Sequence, residues 1–306
     1  MSEKYDIQIK SEVLEVQATR PQQVTDWGVS LVQAPSVWTR TRGEGIKVLI
    51  LDTGLDYRHP DIASNFAAGK NFTNSTATNY MDRQGHGTHC AGIIAGLDNG
   101  IGIVGVAPRA QIYVGKVLND SGSGSFDWLI KGIEYGIEKK VDIISMSLGA
   151  EDDPGEEVHD VIKRAREAGI IIVAASGNEA GKVNYPAAYD EVIAVAAIDQ
   201  AFDYANFSNF GEAVDVAAPG VDILSTYLNS QYAKLSGTSM ATPMVTGVIA
   251  LAQAYARKKD INADPNKIFE MIKSRSVDVG EEGTDQHFGN GIINIFKLLK
   301  EDNNLN

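Results

Sequence analysis

The chain has 306 residues, room for one large domain or two modest ones with a full core. Its 40 Asp and Glu against 27 Lys and Arg leave a net charge of −13, which argues against a nucleic-acid partner and against docking on an anionic membrane. A single cysteine, Cys90, excludes an intrachain disulfide and a cysteine-clustered zinc site.

Residues 1–23 are polar, extended in pattern and free of the apolar core of a secretory signal. They read as an N-terminal extension with a regulatory role open, ahead of one domain at 24–300. The chain is then cytoplasmic, or secreted with a leader already removed. No run reaches the roughly 18 apolar residues that a membrane span needs.

From residue 46 onward, strand-length apolar runs alternate with helix-length periodic segments. Residues 46–52 (IKVLILD), 111–117, 141–147, 170–176 and 192–198 predict strands. Their near-continuous Val, Ile and Ala content is what burial on both faces of a parallel sheet produces. Residues 86–97, 125–139, 156–168, about 239–259 and 264–274 predict helices, the last opening on an Asp-Pro cap. The alternation predicts a doubly wound α/β fold, a mostly parallel sheet with helices on both faces. Residues 301–306 (EDNNLN) read as a frayed tail.

In such sheets function gathers at the carboxyl ends of the strands. Three segments there carry chemistry: Asp52-Thr53-Gly54, Gly85-His86-Gly87-Thr88-His89, and Gly237-Thr238-Ser239-Met240-Ala241-Thr242-Pro243. Each alone has an ordinary structural reading, since Asp closes turns and Ser caps helices. Together they supply an acid, a base and a nucleophile in the order Asp, His, Ser. No Gly-x-Ser-x-Gly elbow is present, and no glycine fingerprint follows the first strand, which argues against a dinucleotide-binding oxidoreductase.

These three motifs, in this order and at these spacings, resemble the subtilisin-like serine proteases, over about residues 24–298 and closest in character to the intracellular subtilisins. The resemblance implies a serine endopeptidase working through an acyl-enzyme. Asp52 would orient His86, His86 would serve as base then acid, and Ser239 would be acylated. Asn178 matches the family's oxyanion-hole amide, a neutral donor aimed at an oxygen that becomes negative only in the tetrahedral state. Gly122, Ser123 and Gly124 match one edge of the substrate cleft, and Ser147, Leu148 and Gly149 the other, with Ala175 and Gly177 lining the pocket for the P1 side chain. An extended peptide or protein substrate would add as a strand between the edges. Apolar walls imply broad cleavage after large apolar or aromatic residues, with Glu179 at the rim able to admit Lys or Arg.

The resemblance further implies a structural calcium ion, held by carbonyls of Leu97, Ile101 and Ile103 with the side chains of Asn99, Asp61 and Gln23, all oxygen donors as a hard cation demands. Ala187, Tyr189, Val192 and Asp215 match a second, weaker cation site. Intracellular relatives carry a short extension that crosses the active site, and some are dimers, which leaves a homodimer open here. Their Leu-Ile-Pro-Tyr blocking motif is absent, and the nearest proline is Pro21, beside Arg20. The alternative for residues 7–18 is the last strand of a longer prodomain. Cys90 falls four residues after His86 and so on the same helix face.

Overall fold

Strands buried on both sides need two apolar faces, and the odd and even residues of the central strands serve one each. In Lys47–Asp52, Val48 and Ile50 join a core cluster that holds Ile94 and Val245, while Leu49 and Leu51 join another that holds Leu129 and Val161. The first cluster packs the helices His86–Ala95 and Thr238–Lys259 on one face. The second packs Phe126–Lys139 and Glu156–Glu167 on the other. This three-layer arrangement is the subtilisin-like α/β fold expected from the sequence.

The computed structural model describes residues 5–17 and 22–300. The frayed-tail expectation for 301–306, and Ala18, Arg20 and Pro21 of the extension, lie outside the described residues. Among the described residues, seven strands form the main sheet, all paired in parallel. Their order is Val216–Pro219, Val192–Ile198, Ile171–Ala175, Ile143–Met146, Lys47–Asp52, Gln111–Lys116 and Phe66–Asn71. The five strands read from apolar runs lie within one or two residues of their expected limits, as do the five helices. Ser125 caps Phe126–Lys139 by accepting from the Trp128 N–H (3.4 Å), and Asp264 caps Pro265–Arg275 by accepting from Lys267 N–H (2.9 Å).

Two sheet strands carry no apolar-run signal. Phe66–Asn71 is a part-exposed edge strand with Gly69 and Lys70 inside it, and Val216–Pro219 is four residues long and ends in proline. The chain winds to one side of Lys47–Asp52 and then, from Ile143–Met146, to the other. The carboxyl ends of these two neighbours flank the switch point, where such sheets bind ligands. Asp52 ends the first, and Ser147 follows the second.

A smaller antiparallel sheet joins Ile223–Tyr227, Gln231–Ser236 and, from the N-terminal extension, Glu12–Gln17. Gln231–Ser236 delivers the chain straight to Gly237 and Ser239. The extension also contributes Ile7–Gln8, paired antiparallel with Ser123–Gly124.

Candidate active site

Asp52 and His86 are both buried, and the imidazole Nδ1–H donates to the carboxylate at 2.8 and 2.9 Å from its two oxygens. The close approach depends on Gly87, where a Cβ would lie 2.3 Å from the Gly54 carbonyl oxygen. Asp82, which the sequence reading did not single out, ties the two elements together. Its Oδ1 accepts from Thr53 Oγ1–H and from the N–H groups of Gln84 and Gly85, and its Oδ2 accepts from the Thr88 N–H and hydroxyl, all within 3.0 Å. It thus takes the Thr88 N–H in the first turn of His86–Ala95, where the His86 and Gly87 N–H groups go to Gln84 Oε1 and Thr53 Oγ1, and ties that helix to the residue after Asp52. An Asp shortly ahead of a helix is the available sequence signal, but its bond to Thr53 is a tertiary fact.

Burial alone would lower the His86 imidazole, but the Asp52 carboxylate outweighs it and holds the group well above its usual value of 6.5. The other ring nitrogen, Nε2, is buried with no hydrogen-bond partner among the described residues. That nitrogen is the one a general base would use.

Ser239 sits in the first turn of Thr238–Lys259, and its hydroxyl donates to the Ser147 carbonyl at 3.2 Å. Four residues on, Pro243 has no N–H to give back to the Ser239 carbonyl. The Ser147 hydroxyl donates to that carbonyl instead (2.8 Å), as does the Cys90 thiol (3.5 Å). Cys90 Sγ is also 3.9 Å from His86 Nδ1, so the lone cysteine links the helix of the histidine to the helix of the serine. Burial lifts its thiol above the usual value.

Asn178 has a fixed orientation. Its Oδ1 accepts from the Thr238 N–H (2.8 Å) and the Thr238 hydroxyl (2.9 Å), which turns the amide N–H bonds outward. One of them donates to the carbonyl of Lys10 in the extension, at 2.7 Å. Gly177 before it has φ +113°, a left-handed conformation that favours glycine, and a Cβ there would come within 2.1 Å of Asn209 Nδ2.

Residues 5–11 of the extension lie along the cleft. Asp6 N–H donates to the Gly124 carbonyl (3.0 Å) and Ile9 N–H to the Gly122 carbonyl (3.1 Å), while Gln8 bridges antiparallel to Gly149. The two edges expected to hold a peptide therefore hold this one. Ile7 is buried in the apolar cluster that includes Leu118, Trp128 and Leu148. Lys10 and Ser147, Leu148, Ala175, Gly177, Asn178 and Ser239 border a single small pocket. The arrangement is one for acyl transfer: a carboxylate-held imidazole with one free nitrogen, a serine hydroxyl, and an amide donor already on a peptide carbonyl.

A profile of the Subtilase family matches residues 43–291. The chain belongs to the subtilase family. It is a subtilisin-like serine endopeptidase, and its substrates are peptides or proteins. Relatives match it over most of its length. The intracellular serine protease of Paenibacillus polymyxa is 45% identical over 278 residues, 87% of this chain and 84% of that protein. The major intracellular serine protease of Bacillus subtilis (strain 168) is 45% identical over 239 residues, 74% and 75% of the two chains. Subtilisin Savinase of Lederbergia lenta is 40% identical over 274 residues, 89% and 97%.

The residues that match the subtilase calcium loop also come together. Asp61 is fully buried, and the hydrogen bonds its carboxylate accepts come from neutral groups: the Asn99 amide (2.9 Å), the Ile103 N–H (3.0 Å) and the Tyr232 hydroxyl (2.9 Å). Gln23 donates to the Leu97 carbonyl (2.6 Å) and accepts from Gly100 N–H (3.2 Å), while Asn99 accepts from Ile101 N–H (3.0 Å). At the second candidate site Ala187, Tyr189 and Val192 are buried. The Asp215 carboxylate accepts from Ala194 N–H (2.9 Å), and burial pushes it up to about 6 despite that bond.

Proposed function

We propose that Asp52, His86, Ser239 and Asn178 carry out peptide-bond hydrolysis through an acyl-enzyme. Ser239 turns its hydroxyl from the Ser147 carbonyl toward His86 Nε2, which takes the proton as Oγ bonds the substrate carbonyl carbon. The oxygen, now negative, is held by the Asn178 amide. Collapse breaks the C–N bond, and His86 returns the proton to the leaving amine. Water then repeats the sequence on the ester and frees Ser239. Asp52 remains ionised and keeps the imidazole in the tautomer with a free Nε2.

The observation that carries this reading is the 2.7 Å bond from Asn178 to a peptide carbonyl in a chain paired with the cleft edge. The substrate is accordingly extended, with an aliphatic residue favoured at the buried Ile7 position, three residues before P1. Leu148, Ala175 and Gly177 give small apolar walls, which suit a large apolar or aromatic P1 side chain. Stoichiometric labelling of Ser239 by a fluorophosphonate, abolished in Ser239→Ala, is the test. No label at neutral pH with calcium present, in the chain freed of residues 1–11, would sink the mechanism.

The extension fills the cleft that a substrate needs, so residues 1–23 act as a restraint on the domain at 24–300. Deleting residues 1–11 should raise activity on a small peptide several-fold. Equal activity of the two forms would remove the regulatory reading.

Calcium fits the loop at Asp61 by its donors: a buried carboxylate that, among the described residues, accepts from neutral hydrogen-bond donors, with the Gln23, Asn99 and Leu97 oxygens beside it. These residues, with the carbonyls of Ile101 and Ile103, would hold the ion. It would cross-link the extension's end to the core and take no part in the reaction. The intracellular relatives support a cytoplasmic setting, and no described helix is long and apolar enough to cross a membrane. A homodimer is read directly by sedimentation of the full chain.

A further inference from the structure

We propose that the edge of Gln231–Ser236 is a docking strand for the leaving side of peptide substrates. It takes the third to seventh residues after the scissile bond as an added strand, and Lys234 favours an acidic side chain at the fifth. The inference rests on the catalytic reading above, which makes the Asn178-held carbonyl that of P1. In this structure that carbonyl belongs to Lys10, whose ammonium pairs with Glu179 at 2.9 Å. Ser11 is then the first residue on the leaving side, and Val13 and Gln17 are the third and seventh.

Those residues belong to the strand Glu12–Gln17, paired antiparallel with Gln231–Ser236. The register sets Val13 opposite Leu235, Glu15 opposite Lys234, Val16 opposite Ala233 and Gln17 opposite Tyr232. Leu14 is the extra residue of a bulge, and the bulge brings Glu15 rather than Leu14 across from Lys234. The Lys234 ammonium lies 3.9 Å from the Glu15 carboxylate. Val13, Leu14 and Val16 all stay exposed, so burial of apolar side chains contributes little to holding this strand. What it offers the hairpin is main chain, and main-chain pairing accepts many sequences.

The edge that receives it is held from behind. Gln231–Ser236 pairs on its other side with Ile223–Tyr227. The Gln231 and Ala233 carbonyls accept from His59 Nε2–H (3.0 Å) and His89 Nε2–H (3.0 Å), and the Tyr232 hydroxyl donates to the buried Asp61 (2.9 Å). The strand therefore keeps its form when the extension leaves. It is then an edge strand with open N–H and C=O groups, ending three residues before Ser239. A substrate that displaces the extension lays the residues after its scissile bond along this edge, at little cost in ordering the protein. The charge preference is the smaller effect, because Lys234 and Glu15 meet in solvent.

The test uses the full chain and quenched fluorogenic peptides with Ile-Gln-Ile-Phe before the scissile bond. A short peptide continues Ser-Glu-amide, and a long one Ser-Glu-Val-Leu-Glu-Val-Gln-amide. All are measured on one preparation, so any fraction of enzyme blocked by the extension cancels in the ratios. The kcat/KM of the long peptide should exceed that of the short one by about tenfold or more. Pro-Pro at the fifth and sixth leaving-side positions removes N–H groups from both edges of the added strand, and should return the rate to that of the short peptide. Lysine in place of glutamate at the fifth position alone should cost about two- to fivefold, less at high salt. In Lys234→Glu that order should reverse, whatever happens to the absolute rates. A long peptide cleaved no faster than the short one overturns the proposal, as does a Pro-Pro peptide as good as the long one. So does failure to cleave any peptide in protein whose Ser239 a fluorophosphonate labels. An order between glutamate and lysine that Lys234→Glu leaves unchanged overturns the role of Lys234. None of these outcomes touches the mechanism. Failure to cleave any peptide, with Ser239 unlabelled in the chain freed of residues 1–11, removes both.

Discussion

His86 and His89 stand one turn apart on the same helix, both fully buried, and their chemistry runs in opposite directions. His89 Nε2–H donates to two backbone carbonyls, Ile223 (3.1 Å) and Ala233 (3.0 Å), on facing strands of the hairpin that leads to Ser239. Burial pushes it down to about 3, so it is a neutral staple. His86 has the Asp52 carboxylate on one nitrogen and, among the described residues, no hydrogen-bond partner on the other, and it is pushed up. Burial is common to both. The partner decides whether a histidine becomes a strut or a base.

Removing each side chain should separate the roles most sharply. In subtilisin, loss of the histidine of the triad costs roughly 10⁶ in kcat, and the same order is expected here for His86→Ala with little change in melting temperature. His89→Ala should instead cost about 2–4 kcal/mol of stability, from a cavity and two orphaned carbonyls, while kcat stays within about tenfold. If His89→Ala lost activity on the scale of His86→Ala in folded protein, the contrast would be broken.

The same contrast has two pH signatures. In the proposed mechanism His86 must be neutral to take the serine proton, so activity should fall as pH drops through its raised value, with the acid limb of kcat/KM above 6.5. Asp52→Asn should move that limb down. A wild-type limb below 6.5 would contradict the Asp52 effect. For stability the signs differ. A raised group such as His86 stabilises fully below 6.5 and loses that contribution as pH rises through its folded value. His89, depressed to about 3, stabilises fully above 6.5 and loses about 1.4 kcal/mol per pH unit as pH falls from there. Urea midpoints of wild type and His89→Asn between pH 7 and 5 check this: the variant's acid slope should be shallower, and identical slopes would clear His89 of the acid sensitivity.

Sequence carried the two histidines unequally. The Asp-Thr-Gly, His-Gly-Thr-His and Gly-Thr-Ser motifs put His86 forward as a candidate, because each is a short run that is read locally. The role of His89 was not, since its carbonyl partners are 134 and 144 residues away. The same holds for Asp82, for the Ser147 and Cys90 donors that replace the N–H missing at Pro243, and for the ion pair of Lys10 with Glu179. Apolar runs gave five of the seven main-sheet strands almost to the residue, but not the buried Val216–Pro219, which is only four residues long. They missed Phe66–Asn71 and the extension's strands, which are half-exposed and take their form from the edge they join.

The Asp61 loop offers a last contrast, with the cleft. In the cleft a free imidazole nitrogen and a substrate-facing amide await a partner from outside, and the extension supplies one. In the loop the oxygens of Asp61, Asn99, Gln23 and Leu97 accept from the Asn99 and Gln23 amides and from neighbouring N–H and O–H groups, so the loop has donors of its own. An ion there should therefore add stability without being required for the fold. At 100 times its Kd it contributes about 2.7 kcal/mol, worth roughly 5 °C in melting temperature for a domain of this size. EDTA should lower the transition by about that much, and added calcium should restore it. Asp61→Asn keeps the shape but removes the buried charge, so its melting temperature should no longer respond to either. An EDTA-insensitive wild type would mean that the neutral donors around Asp61 suffice, and that the loop's only ligand is the protein itself.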